Sequence, residues 1–334
     1  MSARARWLLT AGMLLFVALL VSQGVPAVLS TLALVGFGIV PVTLFHLLPL
    51  LLDALAIRVL FPAPARPGAV RQAVLARWAG ESVNSLMPGG QLGGPVLMMR
   101  ELARCGLPVP DAVAAIIVST TFQSFAQLLF ALAGVATLGA PGSPLWHHAA
   151  GWPLLLAGAL LAGTVSGFYL AQRRGLFRGL TRSSAWLFRK RDWSSLLTQA
   201  EAIDQAVERT HRRRGPIVAS FLLSLVGWVV GTVEVYLILQ LLHAPVSWSH
   251  ALALESLGQA IRGAAFAIPG ALGVQEGGYL LLAPLFGLAP GVGLALSLAK
   301  RARELLLGLP GLLYLHLGAR DGRLRATVSA GAGD

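Results

Sequence analysis

The sequence predicts an all-α polytopic membrane protein with about six full spans and two re-entrant hairpins arranged as an inverted repeat. Three observations carry that expectation. Of the 334 residues 56% are hydrophobic and only 12% charged, and the mean hydropathy is +0.72, because apolar runs recur along nearly the whole chain. The 26 basic residues outnumber the 14 acidic ones and cluster in the connections between those runs, the pattern of inward-facing loops rather than of a nucleic-acid surface. Two stretches are too rich in Pro and Gly to be ordinary spans.

Arg4 and Arg6 precede an apolar run from Trp7 to Val21. The SQGVPA that follows has the look of a cleavage region near Ala27, but further spans come at once, so a retained first span is expected. Ser30 to Leu60 is apolar around Pro41, His46, Pro49 and Asp53, and it leads to Arg58, Arg66, Arg71 and Arg77 on the inner side. From Gly80 to Pro95 the chain packs a carboxylate, an asparagine, two prolines and five glycines into one stretch. Proline removes a helical donor and glycine costs helix stability, so a break is expected at Pro88, Gly89 and Gly90. Arg100 and Arg104 then return the chain to the basic side, which makes the segment a re-entrant hairpin.

Asp111 to Leu138 crosses, the outer loop APGSPLWHH carries no Lys or Arg, and Trp152 to Ala171 crosses back. Residues 172–214 form the only extended polar region. Its basic residues are interleaved with Ala185 to Phe188, Leu196 and Leu197. It reads equally as an amphipathic helix lying on anionic inner-leaflet lipids or as a solvated loop. Pro216 to Leu242 crosses outward with Glu234 inside it. Ala251 to Phe286 repeats the broken pattern around Pro269, Gly270 and Gly273, and Leu288 to Leu317 returns to a basic tail. The expected organisation is one integral membrane domain over 1–334: a first half 1–171, the basic segment 172–214, a second half 215–317 and a tail 318–334, with both termini cytoplasmic.

A single ungapped offset superposes Pro88-Gly89 on Pro269-Gly270, Gly106-Leu107 on Gly287-Leu288, and Asp53 on Glu234. By the charge rule the two hairpins enter from opposite sides. Related halves of opposite orientation with broken helices are a recurrent plan of alternating-access carriers, whose sites lie at the repeat interface near mid-membrane.

Charged side chains at bilayer depth cost roughly a few kcal/mol each on insertion scales, so they persist where they face one another or a wet cavity. Glu255, Gln259 and Arg262 share one helical face. Lys300, Arg301, Arg303 and Glu304 follow in the last span, and Glu276 lies just after the second break. These are candidate substrate contacts, with Glu81 and Asn84 as their counterparts in the first hairpin. For Lys300 to Glu304 the alternative is a charge network that fixes helices together, through i,i+3 and i,i+4 pairs. Glu81 and Asn84 are alternatively a polar helix end. Asp53 and Glu234 are candidate ion-coupling carboxylates or packing partners for Arg58 and other polar residues. Cys105 is the sole cysteine, so no intramolecular disulfide or Cys-based zinc site can form. His147 and His148 lack a third ligand. No metal or cofactor is expected. The ATP-binding G-x-x-x-x-G-K-[ST] and the hydrolytic H-E-x-x-H and G-x-S-x-G patterns do not occur, so an enzyme is not expected.

ESVNSLMPGGQLGG, and more so IPGALGVQEGG with GLAPGVGLALSLAKRARELLLGLPGLL, resemble the flippase-like membrane domain attached to lysylphosphatidylglycerol synthetases. Within that superfamily the chain looks most like the hopanoid-biosynthesis-associated membrane proteins regarded as hopanoid transporters, a likeness to which LFHLLPLLLDAL adds. The resemblance covers nearly the whole chain. It implies a bacterial inner-membrane protein that moves a lipid, here a hopanoid. One departure is that after QxGG relatives are expected to carry an acidic residue, whereas this chain has Pro95 and then Val96 to Met99. Two other classes stay open: a membrane enzyme with Glu255 or Glu276 as general base, and a scaffold that holds hopanoid-synthesis enzymes through residues 172–214.

Overall fold

The computed structural model describes residues 33–62, 67–87, 93–138, 194–265 and 268–331, with isolated positions between 21 and 30 and between 163 and 174. Among the described residues every regular element is helical. The expected first span over 7–21, most of the fourth, the break at Pro88, Gly89 and Gly90, the loop holding His147 and His148, and the stretch 175–193 lie outside them.

A 3-10 turn at Gly36–Gly38 leads into α1 (Ile39–Phe45) and α2 (Leu47–Arg58). Their junction falls at His46 because Pro49, three residues on, has no N–H for the Phe45 carbonyl. With the residues before them they form one of three helical stretches that, among the described residues, are long and apolar enough to cross a membrane, Ala33–Arg58; the others are Val109–Thr137 and Arg214–Leu241. These match three of the six expected spans. The expected last span is helical but too charged to meet the same standard, since α10 (Pro290–Gly331) carries Lys300, Arg301, Arg303 and Glu304.

The first hairpin pairs α3 (Ala69–Leu86) with α4 (Gly93–Arg104). Met87 adopts an extended conformation (φ −101, ψ 146), as the residue before a proline must, and this ends α3. The arms then close on each other. Asn84 Oδ1 accepts from the Gly94 amide at 2.8 Å, and a Cβ on Gly94 would stand 2.5 Å from the Gly80 carbonyl oxygen. In the second hairpin α8 (Trp248–Ala264), capped by the Ser247 hydroxyl, packs on α9 (Val274–Leu282) across the break at Pro269–Ala271. Between the hairpins run α5 (Val109–Leu138), α6 (Ser194–Arg212) and α7 (Arg214–Leu241).

The offset seen in the sequence recurs in the helix boundaries. It carries the start of α4 onto that of α9 and the start of α5 onto that of α10. It also relates Gly106 (φ 90) to Gly287 (φ 73). Both turns make the same pair of bonds: Gly106 to Ala103 and Leu107 to Leu102 in one, Gly287 to Pro284 and Leu288 to Ala283 in the other. The halves exchange partners, since α3 packs on α10 as α8 packs on α5.

Of the stretch read as an amphipathic helix or a solvated loop, residues 194–212 are helical and form α6. Ala206 and Val207 are buried with Ala112, Ala115 and Ile116 of α5, and Ile203 packs against them. Small residues at this contact let the two backbones approach, so this part of α6 faces α5.

Replacing Gly94 by Ala should splay the first hairpin and cost about 1–3 kcal/mol through overpacking. The measurement is thermal unfolding of the detergent-purified protein beside Gly291→Ala, a control position with nothing within 4 Å of the added methyl, whose midpoint should not fall.

Candidate functional site

The two broken hairpins meet. Gly270, whose φ of +59 suits glycine, packs so closely on the end of α3 that a Cβ there would lie 3.0 Å from the Ser85 carbonyl. Beside this contact lies a cavity of about 240 Å³ bounded by α2, α3, α4, α5, α7, α8 and α10. Its polar wall is a continuous network of ion pairs.

From α10, the Lys300 Nζ donates to Glu255 Oε2 at 2.7 Å and lies 3.6 Å from Glu234 Oε1. Tyr279 and Gln259 also donate to Glu255, at 3.2 and 2.8 Å. Arg262 donates to Glu304 and, at 3.0 Å, to Gln275 Oε1. Arg301 reaches Glu276 Oε1 at 2.8 Å and Glu304 Oε2 at 2.9 Å. The other Glu276 oxygen accepts from the Gly273 amide at 2.7 Å and so caps α9, where a carboxylate also suits the helix dipole.

A second cluster surrounds Asp53, which accepts from Arg77 at 2.6 Å and Gln123 at 3.0 Å. His46 joins the clusters. Its Nδ1 lies 2.7 Å from Glu234 Oε2, its Nε2 lies 3.0 Å from Glu81 Oε1, and the Arg303 guanidinium points at the same Nε2. Arg303 Nε and Glu234 Oε1 stand 3.1 Å apart without hydrogen-bond alignment. Among the described residues no group of three or more His, Cys, Asp or Glu side chains is arranged to hold a metal.

Measured against the sequence, the structure gathers most of the expected residues. Glu255, Gln259 and Arg262 do share one face toward the cavity, joined by Lys300, Arg303 and Glu304. Glu81 and Asn84 reach the same cavity from the first hairpin, and so do Asp53 and Glu234. Glu276 and Arg301 do not line it. They stand behind the wall, with Glu276 fully buried, because capping α9 turns that carboxylate away from the opening. The network runs between helices more than along them: Lys300 bonds Glu255 rather than Glu304, and Arg262 bonds Glu304 rather than Glu276. Asp53 is paired with Arg77, not Arg58.

Among the lining residues that the sequence reading does not single out as site residues are His46, Arg77, Gln123 and Gln127. Arg77 is assigned there to an inner basic flank, yet it sits inside α3. Its spacing to Glu81 (i,i+4; 3.9 Å) is the signal that places it on the cavity face. For His46 the signal is an imidazole two helical turns before Asp53 in an otherwise apolar span; its partners are 35, 188 and 257 residues away.

Burying such a network makes each member depend on its partner. Lys300→Met should cost about 3–5 kcal/mol, since Glu255 is left charged and buried. Adding Glu255→Gln should recover part of that loss. A double-mutant cycle on unfolding midpoints checks both, and strict additivity would refute the coupling.

In comparison with known proteins, the family model described as the lysylphosphatidylglycerol synthase TM region matches residues 6–311. No curated protein and no solved structure matches the chain.

Proposed function

The chain belongs to the lysylphosphatidylglycerol synthase TM region family, and on that premise we propose that it is a lipid carrier whose polar head-group site is the cavity between the hairpins. The observation that carries the reading is the charged cavity itself, enclosed by helices of which three are apolar enough to span a bilayer. Such a cavity suits a polar head that must leave water while its body stays in lipid. An apolar pocket of about 390 Å³ between α5 and α7, lined by Phe122, Phe125, Ile217, Val218 and Phe221, supports the same amphipathic substrate.

The substrate we propose is a hopanoid. Its support is the resemblance of the hairpin and C-terminal motifs to hopanoid-associated membrane proteins. Head-group oxygens would be held by Arg262 and Lys300 through charge-assisted bonds, with Glu304 and Glu255 balancing them. Glu276 and Arg301 would keep the second hairpin's break in shape.

Helix boundaries related by one offset, and the exchanged packing of α3 on α10 and α8 on α5, support two halves of opposite orientation. In that plan the cavity opens alternately to each side. We place the protein in a bacterial inner membrane with both termini cytoplasmic. Against Glu276 as the general base of an enzyme stands the engagement and burial of both its oxygens, which leaves the cavity-lining Glu255 as the base that the enzyme reading would use.

The test is mass spectrometry of separated inner and outer membranes from cells with and without the gene. Hopanoids that are still made but missing from the outer membrane would support the carrier. Accumulation of a precursor would favour an enzyme, and an unchanged distribution would refute the hopanoid assignment. Arg262→Ala should abolish movement while the protein remains inserted; normal transport in that variant would refute the site.

A further inference from the structure

His46 makes three polar contacts that one protonation state cannot satisfy together. An arginine has no acceptor, so the Arg303 contact requires a lone pair on Nε2. A carboxylate has no donor, so the contact from the same Nε2 to Glu81 Oε1, at 3.0 Å, requires a proton there. Nδ1 serves both arrangements, since Nδ1–H donates to Glu234 Oε2 in either. The neutral ring therefore holds Arg303, and the imidazolium holds Glu81.

The setting makes the choice matter. Arg303 is buried, 4% exposed, and its other approaches are loose: the misaligned one to Glu234, 3.7 Å to Glu81 and 3.8 Å to Glu304. The charged groups that line the cavity with His46 are Asp53 from α2, Arg77 and Glu81 from α3, Glu234 from α7, Glu255 and Arg262 from α8, and Lys300, Arg303 and Glu304 from α10, and of these Glu81, Glu234 and Arg303 touch its ring. Within the cluster as a whole, six carboxylates meet five permanent cations, so the balance closes only when His46 carries a proton. Both His46 and Arg303 line the cavity.

We propose that His46 is a proton-binding switch that decides whether the Arg303 guanidinium is held by the imidazole or is available to a ligand oxygen in the cavity. Proton uptake at Nε2 moves that nitrogen from Arg303 to Glu81, and the freed guanidinium turns to the ligand. Proton loss returns Arg303 to the ring. The switch as a coupling device rests on the carrier reading; the switch as a proton site does not.

The experiment is nitrogen NMR of the histidine side chains in the full-length protein in nanodiscs, titrated with acid and base, with His46 assigned by its disappearance in His46→Gln. The neutral ring should be the Nδ1–H tautomer and should titrate reversibly. Glu81→Gln should lower the midpoint and Arg303→Gln should raise it, each by roughly one pH unit or more. An Nε2–H tautomer, or a ring that does not titrate, overturns the switch, because the Arg303 contact then has no acceptor or the proton no site.

In proteoliposomes, lipid movement by the wild type should fall as pH is raised through that midpoint. His46→Gln should flatten the profile, and an unaltered profile overturns the coupling. If no lipid moves at any pH, the carrier reading fails, while the tautomer and the titration still decide the proton site.

Discussion

The structure depends on one constraint: a charge removed from water must meet an opposite charge. The first half of α10 concentrates three cations and a carboxylate within five residues, in a stretch, 290–317, that has no other Lys, Arg, Asp or Glu. Each of them reaches across to another element. Lys300 engages α8, Arg301 engages α9, Arg303 engages α7 and the α1–α2 junction, and Glu304 receives Arg262 from α8. Because removal of one member of a buried pair is strongly unfavourable, the positions of four helices are fixed by one. The cavity beside them is what remains when such groups are held apart by their own pairing geometry.

The hairpin breaks serve the same end. A continuous helix presents a given position to one side only. An interrupted one turns its end toward the centre, so that the Ser85 carbonyl, the Gly270 backbone and the Arg262 and Glu81 side chains converge. Glu276 shows how closely chemistry and fold are joined there, since a single carboxylate caps α9 and anchors Arg301.

Much of this was legible in the sequence. Composition and the positive-inside pattern pointed to helical spans, and three of the expected ones are present. Pro-Gly pairs located the second break, and the constant offset between the halves reappears as helix starts and matched glycine turns. The charged residues of α8 and α10 were recognisable as a cluster because polar side chains in apolar runs stand out. Partner choice was not legible. Short-range spacing suggested pairs along a helix, such as Lys300 with Glu304, whereas the chain joins positions on separate elements, as Lys300 with Glu255. His46 stands out as an imidazole in an apolar span, but its partners are not legible for the same reason, since they lie in elements distant in sequence. For residues 194–212 the amphipathic pattern marks a helix without saying what covers its apolar face, and at Ala206 and Val207 α5 does.

Both hairpins are tethered to the same helix. The second is held through Lys300, Arg301 and Glu304. The first is held through Trp78, whose indole donates to the Leu307 carbonyl at 2.9 Å, and through Glu101, which accepts from the Tyr314 hydroxyl at 2.6 Å. α10 thus serves as a common axle. If one hairpin moves against the other, its end on this axle travels least and the far end most.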